Sequence, residues 1–133
     1  PVLFAQLKDR TALSAATPNV SAFSAHLPRD SADGLLLYVR EPKSDPPIQA
    51  RMVAPLHGLP EDPATGSAHV ALIGLMAHLN RKPDLVFKAR IGQGVDMGRP
   101  SLVEAIAAKR NGVVTATKVG GRCIPVMSGT LTM

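Results

Sequence analysis

Cysteine is all but missing from this 133-residue chain, with Cys123 the only one. That excludes an intrachain disulfide and a cysteine-rich zinc site, and it suits a reducing, cytoplasmic setting. The apolar surroundings of Cys123 predict a small buried hydrophobe, not a reactive thiol. Tryptophan is absent and aromatics make up only 3% of residues, so the core has to be aliphatic. No apolar run approaches the roughly 18 residues of a membrane-spanning helix, so no membrane partner is expected. The N-terminus has no basic stretch followed by an apolar one, so no signal peptide is expected. The chain opens on Pro1 and not on Met, which suggests processing or truncation upstream. Clustered basic charge is also lacking. The net charge is +5, yet the arginines stand singly and only Arg81-Lys82 and Lys109-Arg110 are adjacent. With no basic run interleaved with aromatics, no nucleic-acid partner is expected. Scattered positive charge suits acidic small molecules or a partner surface.

What is present fits one globular domain over residues 1–133, with 45% apolar and 19% charged residues. Residues 2–8 read as a short strand. Thr17-Pro18-Asn19 offers a turn and a helix start, with Val20, Phe23 and Leu27 as a weak helical face through His26. After a turn at Asp33-Gly34, residues 35–39 form a continuous apolar run, the pattern of a buried strand. Residues 41–47 hold three prolines and form a loop. Residues 48–53 alternate apolar and polar side chains, as a strand does. Residues 54–66 make a structured loop with three prolines and two glycines.

The clearest helix is 67–80, which is apolar at nearly every angle and is therefore expected to be buried on all sides. Four strand-like stretches follow at 85–92, 101–109, 113–119 and 123–127. Their short, glycine-rich connections, Asn111-Gly112 above all, force antiparallel pairing. The expected fold is α/β in the α+β sense: a curved, mostly antiparallel or mixed sheet wrapped around one central buried helix.

The run Gly58-Leu59-Pro60-Glu61-Asp62-Pro63-Ala64-Thr65-Gly66-Ser67-Ala68-His69 is unusual for a connector. Two adjacent carboxylates precede Pro63, which restrains Asp62 to extended backbone. Thr-Gly-Ser then leads straight into the helix. Free N–H groups at a helix start, beside glycine and hydroxyl residues, form an anion site. The alternative is structural, with Thr65 or Ser67 capping the helix and the acids complementing its dipole. Glu61 could adjust the neighbouring carboxyl or simply pair with an arginine. His69 reads as a satisfied, partly buried histidine, Arg99 as a residue at a hairpin tip, and Gly94 and Gly98 as turn formers. His57 and His78 stand at no ligand spacing to acids or cysteines, so no metal is expected.

Glu-Asp-Pro-Ala-Thr-Gly-Ser-Ala-His resembles the hallmark motif of the PhzF-like family, the phenazine-biosynthesis isomerases and their relatives. Arg51-Met52-Val53-Ala54-Pro55 is similar to the strand before that motif. Gln93-Gly94-Val95-Asp96-Met97-Gly98-Arg99-Pro100-Ser101 is similar to the second signature, and Gly120-Gly121 with Ser128-Gly129-Thr130-Leu131 to the terminal strands. The resemblance implies a diaminopimelate-epimerase-like fold of two similar halves with the active site between them, of which this chain would be the C-terminal half. The family's general base, a glutamate of the N-terminal half in a Glu-Thr-x-Phe-like setting, has no counterpart here.

The resemblance further implies cofactor-free acid/base proton transfer on a small carboxylate-bearing metabolite. Asp62 would be the catalytic carboxylate, and Thr65, Gly66 and Ser67 would bind substrate. Related epimerases carry a cysteine where Asp62 stands, so two-thiol chemistry is not implied. Partners would be a separate N-terminal half or further copies of this chain. The alternative is a non-catalytic shortened relative that binds small anions or assembles.

Overall fold

The computed structural model of the chain describes residues 2–27, 32 and 34–132. Seven strands form one sheet: β1 (Val2–Gln6), β2 (Gly34–Arg40), β3 (Ile48–Ala54), β4 (Leu59–Asp62), β5 (Leu85–Gln93), β6 (Ser101–Arg110) and β7 (Val113–Gly120). Their order is β1-β2-β3-β5-β6-β7, with β4 paired to β3. The pairs β5–β6 and β6–β7 are antiparallel, as their short turns require. β1–β2 and β3–β5 are parallel, a feature the local sequence does not announce. The sheet is therefore mixed and curls into a half-barrel, as the expected fold class has it.

β3 is the strand that positions everything else. Its edge is shared: residues 48–50 pair with the end of β5, and Met52 and Ala54 pair with β4. The sheet forks there, and Asp62 at the end of β4 and Gln93 at the end of β5 come together at the fork. The 54–66 loop thus contains a short strand, β4, and a single 3-10 turn, Pro55–His57.

Among the described residues three α-helices accompany the sheet: α1 (Arg10–Ala15), α2 (Val20–His26) and α3 (Gly66–Leu79). α1 falls where no helix was expected; its signal is Asp9, whose side chain accepts from the Ala12 amide as an N-cap. Asn19 caps α2 in the same way. α3 lies in the curl of the sheet against β5, β6 and β7. Ala105 and Ala107 on β6 are fully buried and small, which lets the helix approach closely. Lys109, also buried, donates from Nζ to the carbonyls of His78 and Asn80, capping the end of α3.

Three expectations need correction. α3 is not buried all round: Leu72, Ile73 and Ala77 are covered, but Leu79 is 70% exposed and Ala71 and His78 face outward. A half-barrel covers one side of a helix and leaves the other. The strand expected at 123–127 does not form, and Cys123 is exposed. Strand-like composition is not enough without a pairing partner, and this segment pairs with no strand among the described residues, although β7 ends the sheet beside it. The Asp33-Gly34 turn lies partly outside the described residues.

Candidate functional site

The 61–69 run wraps around the fork in the sheet, and Glu61 and Asp62 leave it in different directions. Glu61 forms a two-pronged ion pair with Arg51 of β3, with Nε to Oε1 at 3.0 Å and Nη2 to Oε2 at 2.7 Å. The remaining nitrogen of Arg51, Nη1, donates to the carbonyls of Leu13, Ser14 and Ala16 at the end of α1. Hydrogen bonding to Glu61 raises the Arg51 pKa further, against the opposing effect of burial. Asp96, in the turn after β5, joins this group through Arg10 and Ser14. Burial disfavours its charge, but hydrogen bonds from Arg10 and Ser14 and the charges of Arg10 and Arg51 hold its carboxyl below the usual range. Glu61 is thus the arginine partner of the two roles the sequence left open.

Asp62 turns toward Thr65, whose hydroxyl donates to Asp62 Oδ2. The other oxygen, Oδ1, has no hydrogen-bond partner among the described residues. Thr65 occupies the N-cap position of α3 but makes no capping bond with its side chain, because its hydroxyl is already engaged. Gly66 and Ser67 open the helix, exposed, with nothing from Thr65 closing over their amides. A Cβ added at Gly66 would meet only Val119 Cγ2 at 3.8 Å, an ordinary contact, so packing does not demand glycine there.

The second signature is what the sequence reading undervalued. Gln93 is fully buried, and its side chain braces the motif: Oε1 accepts from the Thr65 amide at 3.2 Å, and Nε2 donates to the Asp62 carbonyl and, at 3.0 Å, to Thr65 Oγ1. Ser101 Oγ donates to the Pro63 carbonyl at 2.6 Å. Gly94, read as a turn former, has φ +76 and lies so close to Arg99 and Pro63 that a Cβ would sit 2.2 Å from one carbonyl oxygen and 3.0 Å from the other. The two signatures are one structure, a loop and its cradle. An uncharged glutamine at a strand end, eight residues before a serine, was the available signal.

His69 also departs from expectation. It is fully buried, and neither ring nitrogen finds a hydrogen-bond partner among the described residues. Burial lowers its pKa; Gln93 and the Asp62 charge oppose that, although neither reaches hydrogen-bonding geometry with the ring. Among the described residues no three His, Cys, Asp or Glu side chains converge as a metal-binding group. No helix among them is long and apolar enough to cross a membrane.

A cavity of about 750 Å³ opens beside the start of α3, bounded by Gly66, Ala64, Ser101, Glu104, Val119 and Arg122. Gly66 is the one sequence-nominated residue in its wall; Asp62, Thr65 and Ser67 do not line it. The structure therefore gathers Asp62 and Thr65 into one hydrogen-bonded unit, with Gly66 and Ser67 on its rim.

The family model described as "Phenazine biosynthesis-like protein" (PhzC-PhzF) matches residues 1–129. The chain belongs to the PhzC-PhzF family. Relatives include an "Uncharacterized isomerase" of Deinococcus radiodurans, 36% identical over 90% of this chain and 39% of that protein. The trans-2,3-dihydro-3-hydroxyanthranilate isomerase of Pseudomonas chlororaphis is 38% identical over 64% of this chain and 30% of its own length. The crystal structure of a PhzF-family phenazine biosynthesis protein from Bacillus anthracis superposes with a TM-score of 0.65 at 16% identity, covering 88% of this chain and 44% of that one. A second, from Enterococcus faecalis, gives 0.57 at 20% identity, covering 88% and 43%. At those identities the PhzF structures speak to the fold alone. The chain spans less than half the length of these PhzC-PhzF relatives.

Proposed function

We propose that the chain is the C-terminal wall of a PhzF-type isomerase site. Asp62 handles a proton, while the amides of Gly66 and Ser67, with the Ser67 hydroxyl, hold the carboxylate of a small metabolite. The observation that carries this reading is the diversion of Thr65. A hydroxyl at the N-cap normally satisfies one of the helix's orphan amides; here it clamps Asp62, which leaves the start of a 14-residue helix open to an anion. The same bond fixes one carboxylate oxygen of Asp62 and leaves the other free, the arrangement a proton-transferring carboxylate needs. That the Pseudomonas chlororaphis relative is named for an anthranilate, itself a carboxylate, supports the substrate class. Thr65 serves the binding site by positioning: its hydroxyl holds Asp62, while its backbone amide is engaged by Gln93. No cofactor enters the proposal.

Proton abstraction also needs a base on an opposite wall. The short span against the relatives supports a chain that binds anions by itself but turns over only with a second half. Amide NMR tests the binding: sulfate or a simple carboxylate shifts Gly66, Ser67 and Ala68, with roughly millimolar affinity. Gly66→Val abolishes the response, and Ser67→Ala weakens it by about 0.5–1.5 kcal/mol. Shifts at 66–68 no larger than those at exposed Lys and Arg amides would show that the run is only a helix start. Solvent-deuterium incorporation into hydroxy and amino acids tests the chemistry. None is expected from the isolated chain, and robust exchange abolished by Asp62→Asn would refute the need for a second wall.

A further inference from the structure

The chain of hydrogen bonds at the fork has a direction, and Gln93 sets it. The Asp62 carbonyl can only accept and the Thr65 amide can only donate. The Gln93 amide therefore has one workable orientation, with Oε1 toward the Thr65 N–H and Nε2 toward the Asp62 carbonyl. The second hydrogen on Nε2 points at Thr65 Oγ1. Thr65 Oγ1 accepts there, so its single hydrogen is left for Asp62 Oδ2. We infer that Gln93 is the positioning residue of the site: through Thr65 it fixes the Asp62 carboxylate and, by the same bond, keeps the Thr65 hydroxyl from capping α3. This rests on the proposed roles of Asp62 and of the helix start.

The placement of Gln93 suits the task. It closes β5, paired with Ala50 on one side and Ser101 on the other, and is fully shielded from solvent. Buried in this way, its amide has no water to turn to, and its bonds to the loop are the alternative to leaving polar atoms unsatisfied. Ser101, which holds Pro63 in the middle of the same loop, is anchored by the same strand pair. The loop between Asp62 and Thr65 is therefore gripped at both ends by one side chain and in the middle by a second.

The test uses the 133-residue chain and needs no turnover. Gln93→Met keeps length and burial but has neither donor nor acceptor of comparable strength. Expected, with an unchanged far-UV spectrum, are a displaced Asp62 carboxyl carbon resonance, hydrogen exchange at the Thr65 amide faster by about tenfold, and a reduced sulfate response at Gly66 to Ala68. Thr65→Val is expected to displace the Asp62 carbon in the same sense, whereas Thr65→Ser, which keeps the hydroxyl, restores it. An Asp62 carbon unmoved in folded Gln93→Met, with Thr65 exchange unchanged, overturns the inference. Should Gln93→Met not fold, the Thr65 pair decides, and equal Asp62 resonances in Thr65→Val and Thr65→Ser overturn it. A wild-type chain whose 66–68 amides ignore sulfate, but whose Asp62 carbon follows Gln93, refutes the proposed binding site and leaves the positioning by Gln93 standing.

Discussion

Replacing Arg51 with Met should be among the most damaging substitutions in the chain, and the structure says by how much. The Arg51 and Glu61 side chains are 10% and 11% exposed, so removing the guanidinium strands a nearly buried carboxylate. Breaking such a pair from one side costs about 3–5 kcal/mol. Of the three carbonyls released by Nη1, that of exposed Ser14 and that of half-buried Ala16 can take up water, and that of buried Leu13 keeps the bond from the Ala16 amide, so together they add little. Against a total stability of roughly 5–15 kcal/mol, the variant should be marginal, with a melting temperature lowered by roughly 10–20 °C. Urea unfolding followed by circular dichroism measures the loss. The double variant Arg51→Met with Glu61→Leu should recover at least half of it, because an apolar pair of similar size leaves no stranded charge. A single-variant cost below about 1 kcal/mol, or a double variant no better than the single, would refute the reading of Glu61 as a structural partner.

Gly94→Ala and Gly98→Ala both place a side chain at positive φ, worth about 1–2 kcal/mol. Only the first also drives a Cβ into backbone oxygens, so it should cost above roughly 3 kcal/mol while Gly98→Ala stays near the lower figure. Equal losses in urea melts would contradict the cradle described for Pro63. His69 predicts a pH dependence. Burial holds its folded pKa below the ordinary 6.5, so the unfolded chain takes up its proton first as the pH falls. Stability should therefore decline from about pH 6.5 downward, by at most about 1.4 kcal/mol per pH unit, and His69→Gln should flatten that decline. An equal slope in both proteins between pH 6.5 and 5 counts against it. Ile124, Val126, Met127 and Leu131 are 84–89% exposed, so the chain should associate at micromolar concentration. Light scattering is expected to show a lower mass after truncation beyond Gly121, and a monomer at both lengths would count against the tail as the cause.

Much of this molecule was legible residue by residue. Strands 2–8, 35–39, 48–53, 85–92, 101–109 and 113–119 and the helix at 67–80 follow from periodicity and turn chemistry, which act between near neighbours, and they appear within a few residues of expectation. The two signatures carried the family, because a long motif at fixed spacing is read without knowing the fold. Pairing across the chain was not legible. β4 returns to β3 locally, but that β3 gives the rest of the same edge to β5 depends on contacts some forty residues apart, and no local preference encodes it. Only the fork brings Gln93 within reach of Asp62, 31 positions away, and only the docking of α1 gives Arg51 carbonyls to hold. Composition likewise misjudged Cys123 and the far face of α3. Apolar character states what a segment would prefer to bury, but whether a covering surface exists is decided by the tertiary structure, and the curl of this sheet covers one side.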